Sequence, residues 1–135
     1  MTEPNLDSPI GRPEIERIQR LSEAELDQLP FGAVRLDPAG RVLAYNRAEA
    51  DLSGLGRERA LGRNFFTEVA PCTNAPDFAG RFHDGVRAGR LHTTFPYVLE
   101  HAVEPRNVWV TLFYNPDTNS GWVLLRDDRR LSTPD

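Results

Sequence analysis

Two groups of residues in this chain carry side chains whose types and spacing could do chemistry. The first is Cys72, the only cysteine among 135 residues. One thiol cannot close an intrachain disulfide or build a cysteine-rich metal site, which leaves covalent attachment, nucleophilic attack or redox sensing. Cys72 follows Phe65, Phe66, Val69, Ala70 and Pro71, surroundings that keep an unmodified thiol neutral and weakly nucleophilic. Residue type alone favours a packing role for it. The second group is Tyr45, Glu49 and Ser53, spaced by four. At a strand-to-helix junction that spacing lets a phenol, a carboxyl and a hydroxyl point toward one place. Each has a plainer reading. Tyr45 can be a core aromatic, and Glu49, with Asn46 as N-cap, sits where a carboxylate favours a helix N-terminus. For Ser53 nothing local chooses between a surface residue and a member of the same network.

Other chemistries fit poorly. His83, His92 and His101 follow one another at nine-residue steps, which alternate faces along a strand and match no zinc pattern. A Cys-His protease would need a local signature around Cys72 that is not there. With a formal charge of −4 and a pI near 5.4, and with Arg, Asp and Glu interspersed rather than blocked, the chain has no basic stripe for a phosphate backbone. That argues against a nucleic-acid partner. No apolar stretch approaches the roughly 20 residues of a membrane span, and the opening Met1-Thr2-Glu3-Pro4-Asn5 lacks the features of a signal peptide. The expectation is a soluble, cytoplasmic protein with a reduced thiol.

The elements that must position these groups are legible from pattern. Residues 1–13 hold Pro4, Pro9, Gly11 and Pro13 among polar residues and read as a loose arm. Ile15, Ile18 and Leu21 recur at helical spacing, and Ser22 with Glu25 forms a capping box ahead of Leu26 and Leu29. Residues 33–36 and 42–45 flank Asp37-Pro38-Ala39-Gly40 as a β-hairpin. Asn46 caps a two-turn helix stopped by Gly54 or Gly56, and residues 77–87 form a longer helix with Phe78, Phe82 and Val86 on one face, ended by Gly89. Three strands follow: residues 93–99, where Pro96 indicates an edge or a bulge, then 108–113 and 122–125 around a turn-rich segment. The sum is an α+β domain with one antiparallel sheet and helices on at least one face.

Taken together, Leu29-Pro30-Phe31-Gly32-Ala33, Tyr45-Asn46-Arg47-Ala48-Glu49, Gly62-Arg63-Asn64-Phe65-Phe66 and Val69-Ala70-Pro71-Cys72-Thr73 resemble the photoactive yellow protein family, bacterial blue-light receptors with a PAS fold. The likeness runs from about Leu26 to Leu125. It implies a PAS-like single domain with a central antiparallel sheet of about five strands, flanked by helices: residues 1–30 an arm and helical cap, 31–127 a chromophore-binding core, 128–135 a tail. It implies p-coumaric (4-hydroxycinnamic) acid as a thioester on Cys72, its carbonyl held by the Cys72 amide. Tyr45 and Glu49 would bond the phenolic oxygen, Ser53 would support Tyr45, and Phe65, Val69, Ala70, Leu99 and Val103 would complete the pocket.

On this reading Glu49 must be protonated to act as a donor, because burial beside a phenolate penalises the carboxylate by desolvation and like-charge repulsion. Light would isomerise the chromophore, the Glu49 proton would pass to the phenolate, and the charge left behind would drive partial unfolding of the cap. The resemblance thus implies a photoreceptor in sensory transduction, not an enzyme. It would act as a monomer or weak dimer on an unidentified signalling partner, away from nucleic acid and membrane. Departures from the familiar pattern bear on kinetics and colour: Leu55 replaces an arginine, Ser53 a threonine, Leu99 an aromatic and His101 a tyrosine. Val103 replaces a methionine implicated in dark recovery, which makes a slow return the expectation. The rival readings are an unpigmented PAS-like ligand- or protein-binding module and a thiol redox sensor.

Overall fold

The computed structural model describes residues 11–100 and 105–127. The expected arm up to residue 10, His101, Val103 and the tail from residue 128 lie outside the described residues. Five strands form one antiparallel sheet: β1 (Gly32–Leu36), β2 (Val42–Tyr45), β3 (Leu91–Leu99), β4 (Arg106–Asn115) and β5 (Ser120–Asp127), in the order β2-β1-β5-β4-β3. The β1–β2 hairpin turns at Gly40, whose φ of 96° is open to glycine at no steric cost, and its register slips between Arg35 and Leu36. Pro96 lies in β3, which pairs with β4 alone and continues in register through Pro96 opposite Trp109. Of the two readings the sequence allowed for that proline, the edge holds and the bulge does not. On an edge strand a residue without an N–H need not break the ladder.

Alternation along the strands gives the sheet two apolar faces. Val34, Leu36, Val110, Leu112, Val123 and Leu125 belong to the larger core. Their neighbours Ala33, Phe113, Trp122 and Leu124 join Ile15, Ile18 and Leu26 in a second cluster. That second face is covered by α1 (Arg12–Ile18) and α2 (Glu23–Leu26). The expected capping box is present: Glu25 N–H donates to Ser22 Oγ at 3.2 Å, and Ser22 N–H donates to Glu25 Oε1 at 2.8 Å. The expectation of a loose arm does not hold for Arg12 and Pro13. Arg12 and Pro13 open α1, because proline in the first turn gives up only an N–H that has no helical partner. Leu21 falls beyond α1 yet packs on the same cluster.

The larger face is covered by α3 (Arg47–Ser53), α4 (Arg57–Ala60) and α5 (Ala79–Ala88), which pack on β1, β2 and the β3–β4 pair respectively. Phe78 precedes α5 as its N-cap, so the expected start at 77 moves inward by two residues, while Phe78 and Phe82 are both fully buried as the spacing predicts. Each buried phenylalanine contributes about 1.5–3 kcal/mol by removal from water. Gly54 and Gly89 end α3 and α5 in the left-handed conformation. Three short elements had no legible pattern: α4, a π-helical turn at Phe65–Val69 and a 3-10 turn at Pro71–Thr73.

Candidate functional site

Tyr45 ends β2 and Asn46 begins the turn into α3. Asn46 is buried and uses both ends of its amide: Oδ1 accepts from Ala33 N–H (2.9 Å) and Glu49 N–H (3.0 Å), and Nδ2 donates to the carbonyls of Leu26 (2.8 Å) and Phe31 (3.0 Å). The helix-capping work is thus done by Asn46 toward the Glu49 backbone. The Glu49 side chain turns inward and is 0% exposed. It lies against Gly32 of β1, where an added Cβ would stand 2.4 Å from Glu49 Oε1. Only a residue without a side chain lets the carboxyl sit there.

One turn further along α3, Ser53 Oγ lies 2.6 Å from the Tyr45 hydroxyl. Burial pushes the Tyr45 phenol up to about 12; the Ser53 hydrogen bond opposes this, and Glu49 adds to it whenever its carboxyl is ionised. Tyr45 and Ser53 are therefore joined, and Glu49 lies near enough for its charge to act on the Tyr45 phenol. Leu55 packs against the larger core beside them.

Tyr45, Phe65, Val69, Ala70 and Leu99 all belong to that larger core. Phe65 and Val69 come from the π-helical turn, where Ala70 N–H reaches Phe65 O at 2.8 Å and Val69 N–H reaches Asn64 O at 3.1 Å. The Asn64 side chain caps this turn through Phe66 and Thr67 N–H. A wider turn of this kind presents consecutive side chains at angles an α-helix cannot, and such turns recur at functional sites. The 3-10 turn follows, closed by Thr73, whose N–H and Oγ1 both donate to Ala70 O. Cys72 sits in its middle, half-buried.

Sequence reasoning missed two residues that hold the site. Tyr97 on β3 donates its hydroxyl to the Cys72 carbonyl at 2.8 Å and packs edge-on to Phe78, with ring centroids 5.0 Å apart. Arg57 at the start of α4 donates Nε to the Tyr45 carbonyl at 2.7 Å and also pairs with Asp27. No local signal marks either one, because each acts on backbone far away in sequence. Val103, expected in the pocket, lies outside the described residues. Among the described residues no three His, Cys, Asp or Glu side chains come together as a metal site, and no helix is long and apolar enough to cross a membrane.

A family model described as PAS fold matches residues 26–125. The photoactive yellow protein of Rhodothalassium salexigens is 38% identical over 118 residues, covering 87% of this chain and 94% of that protein. The photoactive yellow protein of Halochromatium salexigens is 39% identical over the same length, with the same coverage. Among solved structures, the photoactive yellow protein domain from the sensor histidine kinase Ppr of Rhodospirillum centenum superposes with a TM-score of 0.78 at 43% identity, covering 83% of this chain and 98% of that one.

Proposed function

Because this chain belongs to the photoactive yellow protein family of PAS-fold photoreceptors, we propose that it is a blue-light sensor carrying p-coumaric acid as a thioester on Cys72. The donor set fits such a group. Two hydroxyls and a fully buried carboxyl, set among apolar side chains, are what a phenolic oxygen needs if it is to be held as an anion away from water. The observation that carries the reading is Glu49 at 0% exposure on the helix that also brings Ser53 to 2.6 Å from the Tyr45 hydroxyl. The α3 N-terminus is capped by Asn46 through the Glu49 N–H, so the Glu49 carboxyl is not needed as the helix cap.

Bound at Cys72, the chromophore supplies light absorption, double-bond isomerisation and a phenolate. The chain's own residues supply the rest. Ser53 would donate to the Tyr45 hydroxyl oxygen and leave the Tyr45 proton for a phenolic oxygen, and Tyr45, raised further by burial, stays neutral well above physiological pH. Glu49 holds a proton in the dark, because a carboxylate at that depth is costly, and releases it after illumination. The charge then left on Glu49 favours any rearrangement that admits water, which biases the cap over the sheet. Phe65, Val69, Ala70 and Leu99 exclude water from the resting site. The cytoplasm is the proposed setting, with an altered cap surface read by a downstream signalling protein.

Intact-mass analysis after incubation with activated p-coumaric acid tests the attachment. Cys72 Sγ displaces the activating group, so one p-coumaroyl addition is expected in the native chain and none in Cys72→Ala. Addition that persists in the variant contradicts the assignment. No addition in the native chain would favour an unpigmented binding module, and a mass gain under peroxide alone would favour a redox sensor.

A further inference from the structure

We propose that Arg57 is a positioning residue that ties the N-terminal cap to the phenol end of the site, so that its guanidinium couples the state of Tyr45 to the seating of the cap, beside the separate Asn46 tie to Leu26. The inference rests on the function proposed above for its purpose, although the contacts themselves belong to the chain without pigment. Arg57 Nε donates to the Tyr45 carbonyl at 2.7 Å, and Arg57 Nη2 pairs with Asp27 Oδ1. Asp27 directly follows α2 as its C-cap, at the end of the cap segment. The same Asp27 oxygen accepts the Arg47 N–H at 2.8 Å. Residues 45 and 47, either side of Asn46, are thus both anchored to the one carboxylate, Tyr45 through Arg57 and Arg47 directly.

Arginine suits this role for a geometric reason. Its donors lie in one rigid plane, so two acceptors held by different nitrogens of the same guanidinium cannot move independently. With Nε on the Tyr45 carbonyl, a displacement of the β2–α3 junction turns the plane and spoils the Asp27 contact. Loss of Asp27, conversely, frees the plane and loosens its hold on the Tyr45 carbonyl, at the end of β2. Such coupling is reciprocal by thermodynamic necessity. The pair is also sheltered: Arg57 and Asp27 side chains are 33% and 25% exposed, unlike the Arg87–Asp84 pair on α5 at 72% and 73%. The Arg57 hydrogen bond holds the Asp27 carboxyl below its ordinary range.

The test needs no chromophore. In the unpigmented full chain, Tyr45 ionisation is followed by tyrosinate absorbance with Tyr45→Phe as the reference, and cap seating by hydrogen exchange of the α1 and α2 amides. Asp27→Asn touches neither the Tyr45 ring nor Ser53. It should nevertheless ease Tyr45 ionisation by about fivefold and speed cap exchange by a similar factor, the lower end of ordinary coupling between sites. Arg57→Ala should do the same, Arg57→Lys should restore neither reading, and the double variant should be no worse than either single. Unchanged Tyr45 titration in Asp27→Asn, recovery by Arg57→Lys, or additive effects in the double variant would each overturn the proposal. Because all of these are read without pigment, a failure of p-coumaric acid to attach would count against the photoreceptor reading and leave this one to its own result.

Discussion

The Tyr97 hydroxyl donates to the backbone carbonyl of Cys72 across 2.8 Å, joining edge strand β3 to the 3-10 turn that carries the only thiol. Tyr97→Phe removes the donor while keeping the ring against Phe78. Urea denaturation should show a loss of about 1 kcal/mol, the usual net worth of such a bond. An unchanged midpoint and slope would mean that the turn is held without it.

Glu49 should be protonated in the dark and ionised after illumination of the pigmented protein. Light-minus-dark infrared difference spectra should lose a carboxylic-acid band that is missing from Glu49→Gln. If the variant keeps the same band, the proton belongs to another group.

Gly32 gives the Glu49 carboxyl its place, since an added Cβ would meet Oε1 at 2.4 Å. The end of that side chain can move where the backbone cannot. Gly32→Ala should therefore keep the p-coumaroyl mass addition at Cys72 but shift the visible band relative to the native protein. Identical spectra would show that the carboxyl position does not tune the pigment.

Alkaline stability of the unpigmented chain should report Tyr45. Its phenol is raised from 10.0 to about 12 on folding. An acid raised in this way contributes stability that is fully present below the unfolded value and is lost as pH rises through the folded one. Between pH 10 and 12 the native chain should lose about 2–3 kcal/mol that Tyr45→Phe does not lose, at about 1.4 kcal/mol per pH unit. Parallel curves for the two proteins would place the ionisation elsewhere.

Much of the fold was legible because its signals are local. The Ser22–Glu25 box, the turn at Gly40, the Asn46 cap and the Phe78 and Phe82 pair each lie within a few residues, and each recurs in the structure. The Tyr45–Ser53 pair was legible for the same reason, through its short spacing along the chain, as was the placing of Glu49 between them on α3. The π-helical turn at Phe65–Val69 was not, because i-to-i−5 bonding leaves no periodicity in five residues. Tyr97 and Arg57 escaped because their partners are backbone carbonyls 25 and 12 residues away. A backbone acceptor carries no sequence mark, so only the folded chain brings such pairs into view.

Pigment attachment and light response can be read together from an absorption spectrum of the chain reconstituted with activated p-coumaric acid, recorded before a blue flash and during the dark minutes after it. A visible band is expected that is absent from Cys72→Ala, bleaches on illumination and returns in darkness. A colourless sample, or a band that forms equally in Cys72→Ala and does not respond to light, would contradict the photoreceptor reading.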